Sequence, residues 1–379
     1  FFMTFSVGRR HGRMRLLLGF LYLVLIAGGF TMVYPFLLML AGSTKTGVDI
    51  KDVRWIPAFL VDDTALYRKH IEALFNEQLE IMRAVYDTDD VSFEKVEPPA
   101  SVRPAFVQAW NEFTAKHAPD LSYTIGYMQA SVSRTVPLHL RQFRRELMAR
   151  YGHDIDAANQ ALESEYTGWN AFYLLPEDGY LRRSKPLDTP LGDAWRTYRS
   201  EAPSYLRYYF NLEGYCKSLF LKTQHTRNIA EFNRVHGTSY LSYDDVRLAD
   251  VVPSGGSNQE RATWEEFVRN SLNLEWIHVA PDAVSVYRDY LRAKYGDINR
   301  VNALYGTAHA NWSEFTLPDA LPRAGILRSD WEGFITGWRD PDTGALFQPA
   351  AESLRVAGID HAFREHLRES WRDLSAMNQ

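Results

Sequence analysis

Trp110-Asn111-Glu112-Phe113 holds the acid that looks most like a proton donor for glycosidic-bond cleavage. A retaining mechanism would need a second carboxyl group about 5–5.5 Å away as nucleophile. The flanks Phe106-Val107-Gln108-Ala109 and Thr114-Ala115-Lys116-His117 have helical period and lack the apolar β-branched strand that a barrel supplies, so a structural helix is the stronger reading. Ser254-Gly255-Gly256-Ser257-Asn258 has the glycines of a phosphate-cradling loop without its lysine, and reads as the loop before a helix beginning near Gln259. His361 and Glu365, four apart on a predicted helix, read as a solvated pair, and Asp340-Pro341-Asp342-Thr343-Gly344 as a turn, not a calcium loop. No His-Glu-x-x-His, paired-cysteine or Gly-x-Ser-x-Gly spacing occurs, and the single Cys216 excludes an internal disulfide. The expectation is a protein that is not an enzyme, with no catalytic, cofactor-binding or metal site and no cofactor.

The element that organises the chain is therefore not a catalytic one. Leu16 to Ala41 is a run of twenty-six residues without a formal charge, set behind Arg9, Arg10, Arg13 and Arg15. As a helix it reaches about 39 Å, more than the roughly 30 Å hydrocarbon core of a bilayer. Basic flanks stay cytoplasmic, which predicts a cytoplasmic amino terminus and a large extracytoplasmic domain. A cleaved signal peptide shares the basic start, but its apolar core is normally only about 7–15 residues long. Pro35 removes one backbone donor and crowds the preceding turn, so it is expected to bend or end the helix.

Tyr34-Pro35-Phe36-Leu37-Leu38-Met39-Leu40-Ala41-Gly42-Ser43-Thr44-Lys45 resembles the end of the first membrane helix in MalG-like permease subunits of bacterial carbohydrate ABC importers. Pro35, Ser43 and Lys45 are the matching positions. The resemblance covers about forty residues and implies an inner-membrane setting, a lipid bilayer, an ABC ATPase with a second permease subunit, and a periplasmic solute-binding protein as partners. Such permeases have about six spans and a cytoplasmic Glu-Ala-Ala loop. No second run of eighteen apolar residues occurs here, and Ala351-Glu352-Ser353-Leu354-Arg355-Val356-Ala357-Gly358 lacks the paired alanines.

Without its first forty-four residues the chain carries 38 basic against 47 acidic residues, a net charge of −9. That balance argues against a nucleic-acid partner, whose phosphates need a basic face. The aromatic content of 14 % fits sugar-stacking surfaces, but helix cores explain it better. Helical spacing predicts a long amphipathic helix over Thr64 to Tyr86, then helices over Pro104 to Lys116, Pro137 to Tyr151, 190–222, 259–272, 282–295, 328–338 and 360–376. The best strand signals are Leu121 to Met128 and Trp276 to Val279.

An internal repeat marks this region. Tyr295-Gly296-Asp297-Ile298, Asn302, Tyr305-Gly306-Thr307, Trp312 and Phe315 define one copy. Sixty-nine residues earlier stand Ile229, Asn233, Gly237-Thr238, Tyr243 and Val246, and seventy-four before those Ile155, Asn159, Trp169 and Phe172. The physical reading is a short helix holding Ile and Asn on one face, a Gly-Thr turn, and an aromatic that closes the core. The pattern resembles a helical excursion of family 42 β-galactosidase-type glycoside hydrolases, outside their catalytic carboxylates. It implies architecture and a carbohydrate setting, not hydrolysis.

The fold expected is mainly α: a basic cytoplasmic tail over 1–15, a transmembrane helix over 16–42, a linker over 43–63, and a helical extracytoplasmic domain over 64–379. That domain has recurring helix-turn-helix units, few short strands and a sub-boundary near 180–200. The function expected is the amino-terminal part of a carbohydrate ABC-importer permease in the bacterial inner membrane, its enlarged periplasmic loop meeting solute-binding protein or sugar. The alternative is a membrane-anchored glycoside hydrolase-like or glycan-binding protein, and a third is a structural interaction module on a signal anchor.

Overall fold

The computed structural model describes residues 12–117, 123–125, 136–174, 178–184, 187–318, 321–322 and 325–370. Helix makes up 61 % and strand 5 %, so the fold is mainly α with one long apolar helix at the start. The chain divides into two compact units, the first holding residues 1–72 and 91–99, the second 73–90 and 100–379.

In the first unit, α1 runs Gly12–Gly42. Among the described residues it alone is long and apolar enough to cross a membrane. Pro35 does not end it: the helix continues seven residues further. A proline removes only the bond its own N–H would make to the preceding turn, and the apolar residues on either side restore helical pairing beyond it. The expected linker is compact, with turns over 47–51 and a short 3-10 helix Ala58–Leu60. Helix α2, Asp63–Leu74, follows.

The predicted helix from Thr64 to Tyr86 is two helices. Asn76 (φ 51°) and Glu77 (φ 66°) adopt the left-handed region, which no α-helix tolerates in its interior, and α3 restarts as Leu79–Tyr86. That break exposes a regularity the sequence did not show. After α3 the chain turns through left-handed Asp87, and it forms a 3-10 turn at Phe93–Lys95 within the first unit. The order of α6 (Ile155–Leu162), α9 (Ile229–His236) and α12 (Ile298–Tyr305) is the same. Each is eight residues long, ends on a left-handed residue (Glu163, Gly237, Gly306), and is followed by a 3-10 turn at Trp169–Ala171, Tyr243–Asp245 or Trp312–Glu314. The repeat thus has four copies, not three.

Each copy also has a helix before its short one and a helix after it. The first copy continues into α4, Pro104–His117, and strand β1, Tyr123–Thr124. The second opens with α5, Leu138–Tyr151, capped by Gly152 at φ 87°, and closes with α7, Pro190–Glu201, and β2, Tyr208–Tyr209. In the third, α8 (Leu212–Tyr215) passes into a π-helix, Cys216–His225, and α10 (Asn258–Glu266) into another, Phe267–Ser271, before β3, Ile277–Val279. The fourth has α11 (Val284–Tyr295), α13 (Gly325–Thr336), a hairpin of β4 (Trp338–Arg339) and β5 (Leu346–Phe347), and β6, Leu354–Val356. Helix α14, Ile359–Ser370, packs Ile359 and Phe363 on Ala109 and Phe113 of α4. The turn Asp340–Gly344 closes the β4–β5 hairpin, with Asp342 N–H donating to Asp340 Oδ1.

Why each copy folds is clearest in the second. Leu140, Phe143 and Leu147 of α5, Ile155, Ala158 and Leu162 of α6, and Leu191 and Trp195 of α7 meet in one core, closed by Trp169 and Phe172 of the turn. The last helix of every copy repeats a tryptophan with an aromatic three residues on: Trp110 and Phe113, Trp195 and Tyr198, Trp264 and Phe267, Trp331 and Phe334. Three residues on a helix are neighbours on one face, so this pair drives the helix inward. The aromatic content expected of cores is placed there; Trp169, Trp195, Trp264, Trp276 and Trp331 are all buried.

Copies join through short antiparallel pairings. β1 pairs β2 with Tyr123 opposite Tyr209, and β3 pairs β6 with His278 opposite Arg355. Within the second unit α8 also lies against α3, where an added Cβ on Gly214 would meet the Ala84 carbonyl oxygen at 1.9 Å. There buried Lys217 pairs with Asp87 Oδ2 at 2.7 Å and Glu213 Oε1 at 3.3 Å.

Candidate functional site

Arg9 and Arg10 lie outside the described residues, as does the side chain of Arg13; Arg15 is in the first turns of α1. At its other end the helix is tightly finished. Its last carbonyls have no intrahelical partner. Ser43 Oγ donates to Leu40 O at 2.7 Å and Thr44 Oγ1 to Ala41 O at 2.8 Å. Lys69 Nζ of α2 donates to Thr44 O at 2.6 Å and pairs with Asp49 at 3.1 Å. Lys45 Nζ donates to the carbonyls of Asp52 and, at 3.4 Å, Arg54. Ser43 and Lys45 therefore build the helix exit; Pro35 stands within the helix and not in that network.

The repeat residues act on the backbone. Asn159 Nδ2 donates to Tyr166 O at 2.8 Å, while its Oδ1 accepts from Tyr166 N–H and Ser164 Oγ, both at 3.0 Å. Asn233 makes the same three bonds to Tyr240 and Thr238, and Asn302 to His309 and Thr307. A carboxamide fits because it offers donor and acceptor side by side. In the first copy Arg83 takes this position, and its Nε donates to Asp90 O at 2.7 Å. Ile155 is buried beneath the clamp, whereas Ile229 and Ile298 are half-buried. Gly237 and Gly306 supply left-handed turns, both at φ 69°. Trp169 is buried and Trp312 half-buried. These residues hold the fold together, and nothing about them presents a reactive group.

Between the third and fourth copies a cleft of about 730 Å³ is lined by Glu275, Trp276, His278, Arg288, Leu317 and Trp331, among others. That volume suits a small ligand. Arg288 is already engaged, its Nε donating to Phe315 O at 2.8 Å. Burial pushes the Glu275 carboxyl above its ordinary range, against the pull of nearby Arg328 and His278. Among the described residues Glu275 is the one carboxyl group in the lining, where a glycosidase would need two. Trp276 and Trp331 are about 5 % exposed, too little to offer a ring face to a sugar.

Beside it is a polar centre missed in the sequence. Asp330 of α13 is buried and accepts from Tyr305 Oη at 2.6 Å and Tyr295 Oη at 2.7 Å, pairs with Lys294 Nζ at 2.7 Å, and has Tyr290 Oη at 3.4 Å. Desolvation and the neighbouring carboxylate push all three phenols upward, and Tyr287 to about 12. The partners are on α11 and α12, so this centre ties together the three helices of the copy. The corresponding pair in the third copy is His236 Nε2 to Thr263 Oγ1 at 3.0 Å, with burial holding that imidazole below its ordinary range.

Glu112 lies on the exposed face of α4, where its Oε1 accepts from Gln108 Nε2 at 2.9 Å. Its tryptophan and phenylalanine neighbours face the core, which explains the motif without chemistry. The Ser254–Asn258 loop precedes α10 through a capping box between Ser257 and Glu260. Among the described residues no three His, Cys, Asp or Glu side chains are grouped to hold a metal ion. No protein family, curated protein or solved structure matches the chain.

Proposed function

We propose that this chain is the amino-terminal part of an inner-membrane permease subunit of a carbohydrate ABC importer, its helical copies forming an enlarged periplasmic loop that meets a solute-binding protein or the sugar. The observation that carries the reading is α1: long and apolar enough to span, behind a basic start, and finished by Ser43 and Lys45 at the positions where the MalG-like pattern has them. The ATPase and a second permease subunit are the expected partners. The deciding experiment is to read the genomic DNA and transcript past the codon for Gln379. A frame continuing into further apolar spans with a Glu-Ala-Ala loop supports the proposal, and a stop codon there ends it.

A membrane-anchored glycan-binding protein is the second reading, favoured by the volume of the cleft and by its polar Glu275 and His278, its tryptophan rings being buried. Binding of oligosaccharides to the full chain that is lost in Glu275→Gln would support it; equal binding by both proteins would remove the cleft from consideration.

A further inference from the structure

The stretch after the helix exit leaves six large apolar side chains open in twelve residues: Ile50, Val53, Trp55, Ile56, Leu60 and Val61 are between 42 % and 78 % exposed. Single exposed apolar residues are ordinary on a water-facing surface, but six within twelve residues of chain are a concentration that calls for a contact. The run is not loose chain. Pro57 and Ala58 are buried beneath it, and Lys69 Nζ sits 4.5 Å from the centre of the Phe59 ring. Its height is fixed too: the bonds from Lys45 Nζ to the carbonyls of Asp52 and Arg54 hold the backbone entering Trp55 at the end of α1.

We infer that Ile50–Val61 lies on the bilayer surface where α1 emerges, with Val53, Trp55, Ile56 and Leu60 seated among the lipid headgroups and first acyl carbons. Tryptophan is enriched at that depth because its ring is apolar and its N–H still finds water or headgroup oxygens. Lys51 and Arg54 are exposed in the same run, but Asp52 lies between them and exposed Asp62 and Asp63 follow it, so charge does not draw the run to lipid phosphates. Lys51 and Arg54 already pair with acids, Glu94 at 3.1 Å and Asp52 at 2.9 Å, so the apolar side chains carry the attachment. The partner is a lipid surface and not a second protein, because the run is continuous with a lipid-facing helix in the same compact unit. The inference rests on α1 spanning the membrane, as proposed above.

The test uses the full chain in lipid nanodiscs. Ile56→Cys and Leu60→Cys are labelled with an environment-sensitive fluorophore, against a background set by the parent protein, whose single Cys216 is buried. Lipids carrying a spin label just below the headgroup are expected to reduce the emission of both by about twofold or more. Leu25→Cys, in the middle of α1, reports on the span itself through a spin label near the acyl ends. Quenching at Leu25 with water-like emission at positions 56 and 60 would overturn the inference and leave the span standing. A dry but unquenched label at 56 and 60 would mean that protein covers the run, and overturns it as well. An unquenched Leu25 label removes the span and the inference with it. Unsubstituted protein gives a second readout: trypsin is expected to cut after Lys51 and Arg54 more slowly in nanodiscs than in detergent, and equal rates count against the bilayer contact.

Discussion

At the scale of single residues the repeat is a device for satisfying backbone groups. One carboxamide closes the loop after each short helix in three copies, and Arg83 does so with a guanidinium in the first. Replacing Asn233 with alanine orphans Tyr240 N–H and O together, so it is expected to cost about 1–3 kcal/mol, read as a lower urea midpoint. The Asp330 centre makes a different prediction. Unfolded tyrosines ionise near pH 10, whereas burial keeps the phenols of Tyr290, Tyr295 and Tyr305 protonated beyond that. Below about pH 10 both states hold their protons and the stabilisation is complete; above it only the unfolded chain loses them, so stability falls as pH rises. Urea midpoints measured from pH 9 to 11 are expected to drop, and Tyr305→Phe to flatten that drop. The asparagines were legible because spacing recurs along the chain. Asp330 was not, since its partners Lys294 and Tyr295 come from another helix some thirty-five residues away and no local pattern links them.

At the scale of elements, the helices were legible and their breaks were not. Hydrophobic period continues through Phe75 to Leu79, but Asn76 and Glu77 turn left-handed, and a period cannot report a backbone angle. The hidden first copy followed from that one misreading. With the structure in hand, the tryptophan and phenylalanine around Glu112 fall into the same pattern: set beside Trp264-Glu265-Glu266-Phe267 and Trp331-Glu332-Gly333-Phe334, they mark a core-facing helix. Close approach makes a sharper demand on Gly214. Gly214→Ala places a methyl on the Ala84 carbonyl and is expected to cost about 1–3 kcal/mol or more, while Gly255→Ala, with open space around it, is expected to leave the thermal midpoint nearly unchanged. A differential scanning measurement on the two variants decides this.

At the scale of the whole molecule, the second unit repeats one arrangement along the chain, and the second copy gathers a core of its own. Trp195→Ala opens a cavity in the second copy and is expected to cost about 3–5 kcal/mol. Hydrogen exchange should then rise most over 138–201, where α5, α6 and α7 share the core that Trp195 fills, and less over 284–336. Equal loss of protection in both regions would show that the unit unfolds as one. Fold class was readable at this scale because helical period and repeat spacing both survive in the sequence. The strand pairings were not, since β1 and β2 are two residues each and depend on partners more than eighty positions apart.

The finish of α1 has a mechanical meaning. A helix that passed into its head through unbonded chain would act as a swivel, and motion on one side would be lost in the joint. Here Ser43 and Thr44 continue the winding, Lys69 grips Thr44, and Lys45 grips the backbone at Asp52 and Arg54. The joint has no free axle. On the proposed reading, in which α1 spans the bilayer, a rotation or tilt imposed on the helix is expected to be handed on to residues 44–54 and the first turns of α2, as a lever would and a tether would not.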